Sequence, residues 1–103
     1  MQQIIAKIGD FNVSIKQKQR GVSVLSNTGT PYYASPEIWT ESECSEKSDI
    51  WSLGCVLYEM AALRVPFKGS DMKILKNRIL TGKFVSASQK YSKSVHQMIF
   101  KLL

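Results

Sequence analysis

The protein has 103 residues, of which 44% are hydrophobic and 21% are charged. This length allows at most one small domain, and the composition excludes a globally disordered chain. Fourteen Lys and Arg residues against eight Asp and Glu residues give a net charge of +6, which favours acidic partners only in a general way.

The N-terminal segment predicts a short β-hairpin. Residues 4–8 contain a run of isoleucines, and residues 11–16 alternate between apolar and polar side chains. Both patterns are typical of strands, and the intervening Gly9 and Asp10 suit a turn. Residues 17–28 are mostly polar and are predicted to form a loop.

Four helices are predicted after this loop. The first is short and begins at Pro36, because proline suits the first helical turn and Ser35 suits the N-cap. Residues 40–48 return to loop character. The last two helices are predicted over residues 71–80 and 92–103, each with an apolar stripe on one side.

The second predicted helix, residues 49–63, carries apolar side chains on every face. A helix with this pattern has to be buried among other elements. Pro66 follows it and prevents its continuation. The predicted fold class is therefore mainly α with a short N-terminal β-hairpin.

The remaining polar residues indicate neither a metal site nor a nucleic-acid groove. Cys44 and Cys55 lack the companion residues of a zinc site or a disulfide framework. His96 stands alone and is interpreted as a surface or packing residue. Two loose basic clusters lack interleaved aromatic residues and are interpreted as solvated faces: Lys16, Lys18 and Arg20, and Lys73, Lys76 and Arg78. Nucleic-acid binding is therefore the weakest hypothesis, and no such partner is expected.

The chain shows no targeting or membrane signal. Its N-terminus lacks the charged start and long apolar run of a signal peptide, and the most apolar stretch, residues 50–63, contains Glu59. We expect an intracellular, cytoplasmic protein with reduced thiols and no membrane partner. Association with the cytoskeleton and a nuclear location are alternatives.

Three short motifs in a fixed order point to one family. Residues 9–12 read Gly-Asp-Phe-Asn, residues 29–37 read Gly-Thr-Pro-Tyr-Tyr-Ala-Ser-Pro-Glu, and residues 48–54 read Ser-Asp-Ile-Trp-Ser-Leu-Gly. They resemble consecutive landmarks of the C-terminal lobe of eukaryotic protein kinases. Their wording is typical of the NIMA-related serine/threonine kinases. The resemblance implies that residues 1–103 are a partial kinase domain, whose parent fold is α+β.

The resemblance implies ATP and Mg²⁺ as cofactors. Asp10 matches the aspartate that holds magnesium against the ATP phosphates, because this hard cation prefers carboxylate oxygen. A solvated acid in a turn is the alternative for Asp10. Phe11 would pack beneath the N-terminal lobe. Asn12 replaces the family's glycine and reaches left-handed backbone conformations less readily, which bears on metal placement and on switching of the segment.

The resemblance also assigns residues of the activation and substrate loops. Ser26 matches the phosphorylation position of the activation loop. Thr30, followed by Pro31, matches the threonine that bonds the catalytic aspartate. Glu37 matches the glutamate that the family pairs with a distant arginine, and we expect it to be buried without that partner here.

Two further matched residues lie at the start of the long helix. Asp49 matches the aspartate that caps the backbone of the catalytic loop. The alternative for Asp49 is an acid favoured by the dipole at a helix N-terminus, with no kinase role. Trp51 is assigned a structural role within the same motif.

The family's phosphate loop, ATP-binding lysine and catalytic aspartate have no counterpart in these residues. Phosphoryl transfer needs ATP, metal and hydroxyl positioned together, so we expect residues 1–103 alone to be inactive. The first hypothesis is a fragment of a serine/threonine kinase catalytic domain. The alternative is a non-catalytic, pseudokinase-like module that binds a protein substrate or a regulatory protein.

Overall fold

The computed structural model of the protein describes residues 2–9, 31–43, 45–87 and 89–103. These residues form four α-helices and no β-strand. The helices are α1 (Pro36–Trp39), α2 (Glu46–Ala62), α3 (Met72–Thr81) and α4 (Lys93–Leu102). The mainly helical class is therefore confirmed for this part of the chain.

The predicted N-terminal hairpin is not found. Residues 2–9 are exposed and adopt no regular secondary structure, so the first predicted strand is absent. The second predicted strand, residues 11–16, and the loop predicted over residues 17–28 lie outside the described residues. The β-branched composition of residues 4–8 is by itself not sufficient to specify a strand.

Local capping fixes the start of α2 and both ends of α3. Ser45 has extended backbone angles and its Oγ accepts a hydrogen bond from the Lys47 backbone N–H at 3.1 Å, so α2 begins at Glu46 and not at residue 49 as predicted. Asp71 caps α3 by accepting from the Ile74 N–H at 2.9 Å. Gly82 ends α3 with a φ of 66°, a left-handed conformation that favours glycine.

The helices pack as two pairs, α1 with α3 and α2 with α4. One buried cluster joins α1 and α3 through Trp39, Phe67, Leu75 and Ile79. The other joins α2 and α4 through Tyr58, Ala87 and Ile99. Phe84 packs against both clusters, with its ring edge-on to Phe67 and to Tyr58. A continuous aromatic contact therefore connects the two helix pairs.

The contact between α2 and α4 depends on Gly54. A Cβ atom at this position would lie 2.8 Å from the Cβ of Leu102 and 2.9 Å from the Cδ2 of Leu103. Both distances are shorter than carbon atoms tolerate. The absence of a side chain at Gly54 thus lets the two helices approach closely.

The prediction that α2 would be buried on every face is wrong for the described part of the chain. Cys55 and Tyr58 are buried, but Leu53 is 47% exposed and Met60 is 59% exposed. The reason is that α4 and the segment before α1 cover two sides of α2, and no described element covers the third. No helix in the described ranges is long and apolar enough to cross a membrane.

Cys55 provides a test of this packing. Its side chain is completely buried, and desolvation raises the pKa of the thiol to about 12. Because the thiolate is the reactive form, we expect Cys55 in a Cys44→Ser background to resist a thiol-specific reagent at pH 8 and to react once urea unfolds the protein. Rapid labelling of the native protein would show that α2 and α4 do not pack as described.

Candidate substrate-loop site

A compact turn leads into α1 and carries residues 31–37 of the kinase-like motif. The Ala34 backbone N–H donates to the Pro31 carbonyl at 3.3 Å, and the Ile38 N–H donates to the Ser35 carbonyl at 3.0 Å. Pro36 occupies the first helical turn, as predicted. These bonds place Glu37 in the first turn of α1, on the side that faces α2.

Glu37 is bound by the beginning of α2. The Ser48 hydroxyl donates to Oε1 of Glu37 at 2.6 Å. The Glu37 side chain is half-buried, whereas Ser48 is buried. The carboxylate therefore has a hydroxyl partner, and the described residues show no arginine bonded to it, so the expected loss of the arginine partner stays a prediction.

Tyr33 is held at both its backbone and its side chain. The Ser52 hydroxyl lies 2.9 Å from the Tyr33 carbonyl, to which it donates, and the Tyr33 hydroxyl donates to the Glu59 carboxylate. This last bond is the main cause that raises the pKa of Tyr33, because it is lost when the phenol ionises. Tyr33 thus remains a neutral donor at physiological pH.

The three α2 residues in these contacts lie on one side of the helix. Ser48, Ser52 and Glu59 are four and seven residues apart, so their side chains point in nearly the same direction. We call them the loop-binding stripe. Together they hold residues 33–37 against α2 at three points.

Sequence reasoning missed the loop-binding stripe and Tyr33. The signal was present, because Ser48, Ser52 and Glu59 have helical spacing, and the last two interrupt the otherwise apolar residues 50–62. A polar stripe of this kind requires polar partners when it is covered. The sequence did not reveal that those partners come from residues 33–37.

The acid in this site predicts a pH dependence. Burial alone would raise the pKa of Glu37, but hydrogen bonds from Ser48 and from its own backbone N–H outweigh burial and bring the pKa below its ordinary value of 4.5. The resulting stabilisation is complete above pH 4.5 and is lost as the pH falls through the lower folded-state pKa.

We therefore expect the free energy of unfolding to decrease below pH 4.5, and to decrease less in Glu37→Gln. Urea unfolding at a series of pH values measures this difference. Glu41→Gln, which changes an exposed carboxylate just after α1, is the matched control. If Glu41→Gln reduces the loss of unfolding free energy below pH 4.5 as much as Glu37→Gln does, the lowered pKa of Glu37 is not the cause of this loss.

The other predicted site residues divide into two groups. Asp10, Phe11, Ser26 and Thr30 lie outside the described residues, so their roles stay predictions. Three lie inside them, and their family roles also stay predictions. Pro31 is half-buried at the start of the turn, and Asp49 is exposed in the first turn of α2. Trp51 is half-buried, and its ring stacks on Phe67 with ring centroids 5.6 Å apart.

The described residues contain no group of three His, Cys, Asp or Glu side chains that could hold a metal ion. The predicted magnesium ligand, Asp10, lies outside them. No step involving the metal or ATP can therefore be assigned to the described residues.

Comparison with known proteins agrees with the kinase-like motifs. The family model described as "protein kinase domain" matches residues 1–103. The chain is 41% identical to serine/threonine-protein kinase Nek8 of Danio rerio, over 98% of the chain and 14% of that kinase. It is 38% identical to human Nek5, over 96% of the chain and 14% of the kinase.

A third relative, human Nek2, is 40% identical over 94% of the chain and 22% of its own length. The chain therefore spans less than a quarter of each of these relatives. Protein kinases as a family use ATP and Mg²⁺. The chain belongs to the protein kinase family, as a fragment of a catalytic domain homologous to the NIMA-related serine/threonine kinases.

Proposed function

We propose that residues 1–103 form the substrate-facing part of a kinase domain that transfers the γ-phosphoryl group of ATP to Ser or Thr residues of proteins. The observation that supports this most is the attachment of residues 33–37 to the loop-binding stripe of α2. A loop that positions a protein hydroxyl must be held rigidly, because misplacement of about 1 Å reduces the rate severely. Three side-chain hydrogen bonds provide that rigidity.

Within this proposal, the residues outside the described ranges have the roles that the resemblance assigns to them. Asp10 would hold Mg²⁺ at the ATP phosphates, and Thr30 would bond the catalytic aspartate supplied by another part of the domain. Phosphorylation of Ser26 would add negative charge to the activation loop. These 103 residues alone lack the family's ATP-binding lysine and catalytic base, so they are inactive by themselves.

A chimera tests the proposal. Residues 1–103 replace the matching segment of Nek8 from Danio rerio, to which they are 41% identical. We expect the folded chimera to phosphorylate a generic basic protein with Mg-ATP, and the isolated chain to show no such activity. Activity in the isolated chain, or none in a folded chimera, would contradict the proposal.

Variants that remove contacts between the loop and the loop-binding stripe then separate substrate positioning from ATP binding. Ser52→Ala and Tyr33→Phe each remove one hydrogen bond from the loop. We expect each to raise the KM for the protein substrate about three- to tenfold, with an unchanged KM for ATP. Ser94→Ala on the exposed side of α4 is the control and should change neither constant.

The alternative is a non-catalytic binding or scaffolding module. A folded but inactive chimera, together with capture of a regulatory protein that requires the loop-binding stripe, would favour it. Both versions propose a cytoplasmic location and a protein partner.

A further inference from the structure

Charge is unevenly divided along the chain. Residues 31–63 contain six Asp and Glu residues and one Lys, whereas residues 64–103 contain nine Lys and Arg residues and one acid, Asp71. The Asp71 carboxylate already accepts a hydrogen bond from the Ile74 N–H at the start of α3. The second half of the protein therefore carries most of the positive charge of the described residues.

Part of this charge lies on the outward side of α3. Leu75 and Ile79 are buried against α1, and the helical period places Lys73, Lys76 and Leu80 together on another side of α3. All three side chains are exposed. Because a ten-residue helix is about 15 Å long, they belong to one compact surface.

Lys83 extends this surface just beyond the glycine cap of α3, and its side chain is exposed. Lys73, Lys76 and Lys83 have no ion-pair partner among residues 2–9, 31–43, 45–87 and 89–103. Arg78 is different, because its guanidinium donates to the Lys68 carbonyl and ties α3 to the preceding loop. We call Lys73, Lys76, Leu80 and Lys83 the α3 basic surface.

The composition of this surface favours a protein over a nucleic acid. α3 contains no aromatic residue on which a base could stack. Its one arginine is already bonded to the loop, and so it is not free to make the bidentate base contacts typical of arginine. An exposed leucine among lysines instead suits a partner that offers both carboxylates and an apolar side chain.

We propose that the α3 basic surface docks an acidic segment of a protein partner, with an apolar residue of that segment packed against Leu80. The carboxylates of the segment would pair with Lys73, Lys76 and Lys83. This docking is separate from catalysis, because the hydrogen bonds described for the loop-binding stripe involve none of these residues. It would add affinity for the partner without changing the reacting groups.

Fluorescence anisotropy with a labelled peptide of Asp, Glu and Leu residues tests the docking on the purified protein. We expect the double variant Lys73→Glu/Lys76→Glu to weaken binding by about tenfold or more. The matched control, Lys93→Glu/Lys101→Glu on α4, changes the net charge by the same amount and should weaken binding about twofold. Circular dichroism verifies that both variants remain helical.

Leu80→Ala tests the apolar contact. It should weaken binding of the leucine-containing peptide severalfold. Binding of a peptide in which serine replaces leucine should be unchanged. Equal losses in the two charge-reversal variants would overturn the proposal, because binding would then follow net charge alone. Absence of peptide binding, or tighter binding of a single-stranded DNA oligomer through the same lysines, would also overturn it.

Discussion

Replacing Ile79 with alanine is expected to lower the free energy of unfolding by about 2–5 kcal/mol. The Ile79 side chain is 0% exposed and lies in the cluster that joins α1 to α3. Alanine would leave a cavity that the surrounding Trp39, Phe67 and Leu75 side chains fill only in part. Urea unfolding followed by tryptophan fluorescence measures the loss.

Leu80→Ala is the matched control, because it removes a similar side chain from the next position of the same helix. Leu80 is 44% exposed, so its loss should cost about 1 kcal/mol or less. Both variants gain the same residue, and differences in helix propensity are therefore small. Equal effects of the two substitutions would show that α3 does not present the Ile79 side to α1.

Gly54→Val is expected to destabilise the protein by about 1–3 kcal/mol through overpacking. The first side-chain atom would already lie 2.8 Å from the Cβ of Leu102, which is fixed to the α4 backbone and cannot rotate away. Part of the loss should be recovered in the double variant with Leu103→Ala, because Leu103 is the other near neighbour.

Leu53→Val is the control for this second experiment. It places valine one position away in the same helix, on the exposed side of α2. We expect a change in the free energy of unfolding of about 0.5 kcal/mol or less. A Gly54→Val protein as stable as the wild type would mean that α2 and α4 are farther apart than described.

These substitutions probe the arrangement that holds residues 33–37 against α2. α2 has three sides: the loop-binding stripe, the side around Gly54 and Tyr58 that packs on α4, and an exposed apolar side that includes Leu53 and Met60. The first side carries the proposed function. The second fixes α2 in place, so that its hydrogen bonds to residues 33–37 are made against a rigid helix.

The helices could be predicted because their signals are local. Asp71 and Gly82 lie at the ends of one apolar stripe, and capping chemistry acts within a few residues. The start of α2 was predicted too late because Ser45 was not recognised as its cap, although a serine before Glu and Lys is a usable signal. The strand predicted over residues 4–8 rested on a short β-branched run, and such a run is a weak signal because strand propensity depends on context.

The candidate site could be predicted only in part. The kinase-like motif identified Glu37, but it gave no indication that Ser48 would be the group bonded to its carboxylate. Tyr33 and Glu59 are 26 residues apart, and local periodicity contains no information about such a distant pair. Their contact depends on how the chain passes from the turn before α1 to the middle of α2.

The amino-acid sequence by itself determined the family, the four helices and their approximate ends, because motifs and caps depend on residues that are close together in the sequence. Only the tertiary structure decided which side of α2 is covered, how closely α2 approaches α4 at Gly54, and which side chains hold residues 33–37. An apolar pattern shows that a surface can be buried. Which surface is buried depends on the elements that pack against it.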